Sequence, residues 1–119
     1  MATVLIVDDA AFMRLRATKL LVEAGYQVLE AANGRLAVEV YLRERPDCVL
    51  MDITMPEMDG LEALAEIREK DPLARVAMLT AMGQQSIVMD AIKRGARDFI
   101  VKPFAPERVL AAVDRLLAA

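Results

Sequence analysis

The chain contains no histidine and a single cysteine, Cys48. A classical zinc site is therefore excluded, and any metal must be a hard cation on oxygen ligands. A Ser-His-Asp triad and a phosphohistidine carrier are excluded with it. One cysteine forms no intramolecular disulfide, and its setting in an apolar run reads as a small core residue. No apolar run approaches the roughly 20 residues of a membrane span. The N-terminus lacks a basic start and a cleavable signal pattern, so a cytoplasmic protein is the default. A net charge of −3 gives no support for general nucleic-acid binding. There is no internal repeat, low-complexity segment or linker. What is present is enough for one domain: 119 residues, 56% apolar and 28% charged. That composition excludes wholesale disorder and buries a core.

Apolar runs alternate with amphipathic stretches. Thr3–Val7 is a continuous apolar run, as for a strand buried on both faces. A helix over roughly 10–24 follows, with Met13, Ala17, Leu20, Leu21 and Ala24 on one face and Gly25 as C-cap. Gln27–Glu30 reads as the second strand, and Asn33-Gly34 as a turn. A helix over about 35–44 turns Ala37, Val38 and Tyr41 inward and stops at Pro46. Asp47–Met51 is the third strand. A third helix starts near Gly60, with Leu61, Leu64 and Ile67 on one side, and ends at Asp71-Pro72. Arg75–Leu79 is the fourth strand. Gly83 and Gln84-Gln85 lead into a fourth helix with Val88, Ala91 and Ile92 apolar, capped by Gly95. Asp98–Val101 is the fifth strand. Pro106 opens the last helix, in which Val109, Ala112, Val113 and Leu116 share a face. Five strands alternate with five helices, and strands one, three, four and five read as buried. The fold class is α/β, a doubly wound parallel sheet with helices on both faces, in one domain over 1–119.

In such a sheet, ligands bind outside the carboxyl ends of the strands. The first strand ends in Asp8-Asp9, the third in Asp52, the fourth in Thr80 and the fifth in Lys102. Parallel strands carry all of them to one rim. Carboxylates gathered in one pocket repel, and a divalent cation resolves the conflict. All-oxygen ligands with several waters suit Mg²⁺. A cation, an ammonium at Lys102, a hydroxyl at Thr80 and a carboxylate nucleophile together fit phosphoryl transfer. The adjacent Asp8-Asp9 suits metal holding, one directly and one through water. Asp52 stands alone at mid-rim and is the better nucleophile, giving an aspartyl phosphate.

Each residue also has a plainer reading. Asp9 can cap the first helix, and Asp52 can be a turn residue. Thr80 can be a mere strand end, Lys102 a solvated lysine and Phe99 a core aromatic. Lys93, Arg94 and Arg97 read as a solvated helix end, or as a group that steers an acidic partner. Most methionines read as core and loop filler, with Met55, Met82 and Met89 near exposed faces suited to partner binding. What the plain readings leave unexplained is one chemical set on four separate strand ends.

These residues resemble the receiver domain of bacterial two-component response regulators, over the whole chain. The resemblance rests on Val7-Asp8-Asp9, on Asp52 with Met55-Pro56 and Asp59-Gly60, on Thr80-Ala81, and on Lys102-Pro103-Phe104. Longer stretches, Asp8–Arg14, Met51–Gly60, Ala81–Gln85 and Asp98–Phe104, resemble the single-domain chemotaxis type. The resemblance implies a flavodoxin-like sheet of order 2-1-3-4-5. It implies that Asp52 accepts a phosphoryl group from a phosphohistidine on a CheA-like histidine kinase. Mg²⁺ is then held by Asp9, Asp52 and the Thr54 carbonyl, with Asp8 through water. Lys102 contacts the phosphoryl group, and the Lys102-Pro103 peptide is cis. Thr80 and Phe99 form the switch: Thr80 moves to the phosphoryl group and Phe99 rotates inward. The face of helix four, strand five and helix five then binds the flagellar motor switch protein, the chain acting as a monomer. A phosphatase specific for such regulators is a further partner.

Phe99 lacks the tyrosine hydroxyl often found there, so no hydrogen bond from it contributes. Met82, two residues after Thr80, cannot orient water well, so autodephosphorylation is not expected to be unusually fast. With the chain read as ending at residue 119, output is expected by binding rather than through a DNA-binding or enzymatic domain. The alternatives are a phosphorelay intermediate, a receiver cut from a transcription factor, a Mg²⁺-dependent aspartyl phosphatase and a flavodoxin-like cofactor binder. The phosphatase type places an Asp two residues after its nucleophile, where this chain has Thr54. No glycine-rich phosphate loop follows the first strand, which argues against the cofactor binder.

Overall fold

A computed structural model describes residues 1–55, 57–81 and 85–118. Its elements run β1 (Thr3–Val7), α1 (Ala11–Glu23), β2 (Gln27–Ala31), α2 (Gly34–Glu44), β3 (Cys48–Asp52), α3 (Gly60–Lys70), β4 (Val76–Ala81), α4 (Gln85–Lys93), β5 (Asp98–Lys102) and α5 (Pro106–Ala118). The five strands are parallel in the order β2-β1-β3-β4-β5. Among the described residues, no helix is long and apolar enough to cross a membrane.

Successive strand residues point to opposite faces, and both faces are covered. Val4, Ile6, Cys48, Leu50, Ala77, Leu79 and Ile100 pack with Ala17 and Leu21 of α1 and with Val109, Ala112, Val113 and Leu116 of α5. Leu5, Val7, Val49, Met51, Val76 and Met78 pack with Ala37 and Tyr41 of α2, with Ala63, Leu64 and Ile67 of α3, and with Ala91 of α4. This is why β1, β3 and β4 read as unbroken apolar runs.

Strand β5 departs from the expectation that it is buried. Only Ile100 is enclosed, whereas Phe99 and Val101 are exposed. It lies at the sheet edge beside β4 alone, and α5 packs against it on the Ile100 side. Ile92 is likewise exposed on α4, while Ala91 carries the buried contact. Ala24 is not inward either: α1 ends at Glu23, Ala24 is its C-cap, and Gly25 follows at φ +99. Asn33 does more than turn the chain. Its side chain accepts a hydrogen bond from the Leu36 amide at 2.9 Å and so caps α2, which begins at Gly34. Met55, expected near an exposed face, is buried in the core with Met58. Met82, Gly83, Gln84 and Pro56 lie outside the described residues.

Candidate phosphoryl and metal site

Register explains how residues far apart in sequence meet. Val7 pairs with Met51, so the next residues along, Asp8 and Asp52, stand side by side. Asp52 pairs with Leu79 and Ala81 with Lys102, which brings Thr80 and Lys102 to the same rim. Gly60 lets α3 begin directly beneath this rim. Its amide donates to the Ile53 carbonyl at 2.7 Å, and a Cβ there would overlap the Asp52 carbonyl.

Asp8 is 2% exposed and Asp52 9% exposed, so neither carboxylate is hydrated in the ordinary way. Lys102 lies between them, its Nζ 3.0 Å from Asp8 Oδ2 and 3.1 Å from Asp52 Oδ2. Burial pushes the Asp52 carboxyl up from its ordinary pKa; Lys102 opposes this, and the charges of Asp8 and Asp9 reinforce it. Burial alone would lower the Lys102 ammonium. The hydrogen bond to Asp8 and the charges of Asp52 and Asp8 outweigh it, so its pKa is raised.

Asp9 is exposed at the mouth of the pocket. Each of Asp8, Asp9 and Asp52 offers a carboxylate oxygen, and these oxygens lie within 4.8 Å of one another. One ammonium leaves the cluster doubly negative when all three are ionised. The residues therefore form an acidic pocket that can hold a metal ion, and the all-oxygen donors suit a hard divalent cation. Asp9 does not cap α1; no side chain caps that helix. Asp8 Oδ1 instead accepts from the Ala10 amide at 2.9 Å, a local turn that starts the helix.

Thr80 is buried in β4, and its hydroxyl donates to the Ala81 carbonyl at 3.3 Å. Thr54 is exposed in the loop after β3. The Lys102-Pro103 peptide is cis, as the resemblance implied. Phe99, opposite Met78 on β5, is 37% exposed and outside the carboxylate cluster. Both polar groups of its backbone are held by side chains. The amide donates to Asp98 Oδ1 at 2.8 Å, and the carbonyl accepts from Arg108 Nη2 at 2.6 Å.

Sequence reasoning missed Arg14. Its Nη1 donates to the Asp8 carbonyl at 2.7 Å, and its Nε meets Glu30 Oε1 at 3.3 Å. The available signal was a long cation one turn into a helix whose side chains lean back toward the N-terminus, over the Asp8-Asp9 loop.

Comparison with known proteins agrees with this geometry. The response regulator receiver domain matches residues 4–114. The chain is 58% identical over 115 residues to the chemotaxis protein CheY of Bacillus subtilis, covering 96% of each chain. It is 56% identical over 114 residues to the CheY of Thermotoga maritima, covering 95% of each. Among solved structures, chemotaxis protein CheY4 of Vibrio cholerae superposes with a TM-score of 0.93 at 34% identity, over 98% of this chain and 99% of that one. CheY-type receivers are signalling proteins. The chain belongs to the response regulator receiver domain family and, within it, is similar to the CheY proteins of chemotaxis.

Proposed function

We propose that the chain is a phosphorylation-activated switch in which Asp52 is the phosphoacceptor. The observation that carries this reading is the ammonium of Lys102 set between two buried carboxylates, with Asp9 beside them. The donor is a phosphohistidine of a CheA-like kinase. An Asp52 oxygen attacks phosphorus; a P–O bond forms as the P–N bond breaks, and that electron pair stays on the imidazole nitrogen. Lys102 pairs with the phosphoryl oxygens, and the Thr80 hydroxyl donates to them. Asp9, Asp52 and the Thr54 carbonyl would hold Mg²⁺, with Asp8 through water. When bound, the ion neutralises charge on the phosphoryl oxygens.

The modified carboxylate then favours one arrangement of Thr80 and Phe99 over another, a population shift. Output is through α4, β5 and α5, where Met89, Ile92, Phe99 and Val101 already stand exposed. The target is the flagellar motor switch. Incubation with Mg²⁺ and a small acyl phosphate, followed by intact mass, is expected to add one phosphoryl group. Its persistence in Asp52→Asn would refute the assignment. Lys102→Ala is expected to accept the group yet bind the switch target weakly; normal binding would contradict its role.

A further inference from the structure

Asp8 is pinned at every polar group. Its amide donates to the Ala31 carbonyl at 3.2 Å, Oδ1 accepts from the Ala10 amide, and Oδ2 meets Lys102. Its carbonyl accepts from Arg14 Nη1. That last bond joins three elements. Arg14 stands on α1, its Nε reaches Glu30 on β2, and the carbonyl it holds belongs to the residue just after β1. The Arg14 side chain is only 19% exposed, so the fork is held by its surroundings rather than waving in solvent.

The carbonyl of Asp8 belongs to the same rigid plane as the amide of Asp9. Fixing one fixes the other, and with it the place of the Asp9 Cα, from which the Asp9 side chain leaves the main chain. Asp9 is exposed, so the enclosure that holds Asp8 and Asp52 does not hold it. We propose that Arg14 is a positioning residue of the acidic site: through the Asp8 carbonyl it aims Asp9, and so raises the site's affinity for a divalent cation. The inference rests on the metal reading given above. It runs against simple electrostatics. Arg14 is a cation near an acidic cluster, and its charge alone weakens cation binding. Removal therefore moves affinity one way if the charge matters and the other way if the geometry does.

The test is an MgCl₂ titration of the full chain, followed by amide NMR shifts of residues 8–10, with amide exchange of Ala10 measured without Mg²⁺. Arg14→Ala is expected to weaken Mg²⁺ about tenfold, as for other residues that orient metal ligands, and to speed Ala10 exchange while core amides keep their protection. Arg14→Lys keeps the charge and loses the fork, and is expected to track Arg14→Ala. Glu30→Gln frees the brace and shifts both readouts less, in the same direction. Arg16→Ala removes an exposed cation of the same helix and leaves both unchanged. Equal or tighter binding in Arg14→Ala, or unchanged Ala10 exchange, overturns the positioning role alone. Absence of saturable shifts in the unmodified chain overturns the metal reading and this inference together.

Discussion

Replacing Lys102 by methionine keeps the length of the side chain and removes its charge. Asp8 and Asp52 then stay buried with no cation between them. At 3.0 and 3.1 Å, each ion pair carries a gross attraction of about 5 kcal/mol at an effective dielectric of ~20, most of it offset by desolvation. Removing one partner of a buried pair leaves a net deficit of about 3–5 kcal/mol. The Lys102 side chain is 23% exposed, so solvent screens part of this and about 2–3 kcal/mol is expected. Urea unfolding at neutral pH without Mg²⁺ reads it. Two dependences identify the cause. Mg²⁺ should restore more stability to the variant than to the wild-type chain, because it no longer competes with an ammonium. The deficit should also change with pH. Asp52 already has a raised pKa, and losing Lys102, which lowers it, raises it further. Acidification protonates the carboxylate and shrinks the deficit. At the alkaline end, Lys102 has its pKa raised above the ordinary 10.5. Its contribution is full below that value and is lost as pH rises through the folded-state pKa, so the two proteins converge there. A deficit that is flat with pH, or equal Mg²⁺ stabilisation of both proteins, would refute the reasoning.

Asp52→Asn is expected to be more stable than wild type at pH 7 in chelator. The raised carboxyl pKa means that ionised Asp52 opposes folding once pH rises through the unfolded value of 3.8. Thermal unfolding should show the gain fading on acidification, and a variant less stable at pH 7 would count against it. Gly60→Ala sets a Cβ against the Asp52 carbonyl and should lose about 1–3 kcal/mol in denaturant melts, with phosphoryl acceptance falling as well. Gly25→Ala meets no atom there, so its loss should reflect backbone strain alone, about 1 kcal/mol, with acceptance intact. Cys48 is fully enclosed, and burial pushes its thiol up to about 12. A thiol reagent should label it only as fast as the fold opens; rapid labelling of native protein would contradict the burial.

All five strands were legible, four of them because each is a short apolar run stopped by a polar residue. The polar stops Asp8, Asp52 and Lys102 meet in the acidic pocket, so the same positions that marked the strand ends also marked the cluster. Sheet order and the cis Lys102-Pro103 peptide came from family resemblance, since neither follows from hydrophobic pattern. Phe99-Ile100-Val101 looks as buried as Leu5-Ile6-Val7 because pattern alone does not say which strand lies at an edge. Met55 looked like a loop residue, yet the turn before α3 folds it into the core. Arg14 escaped notice because its partner is the Asp8 carbonyl, and backbone acceptors are invisible in a list of side chains.

The two side chains on the Phe99 backbone have a consequence for the sheet as a whole. An edge strand offers unpaired amides and carbonyls to any passing chain, and this one also displays an aromatic and a valine. At Phe99 the donor is already taken by Asp98 and the acceptor by Arg108. Asp98 is held in turn by Arg108 and Arg115 of α5. A sixth strand adding at that point would have to displace a carboxylate and a guanidinium before its first hydrogen bond. The seal blocks extension of the sheet there and leaves the apolar side chains of the same strand open to partners that bind by surface contact.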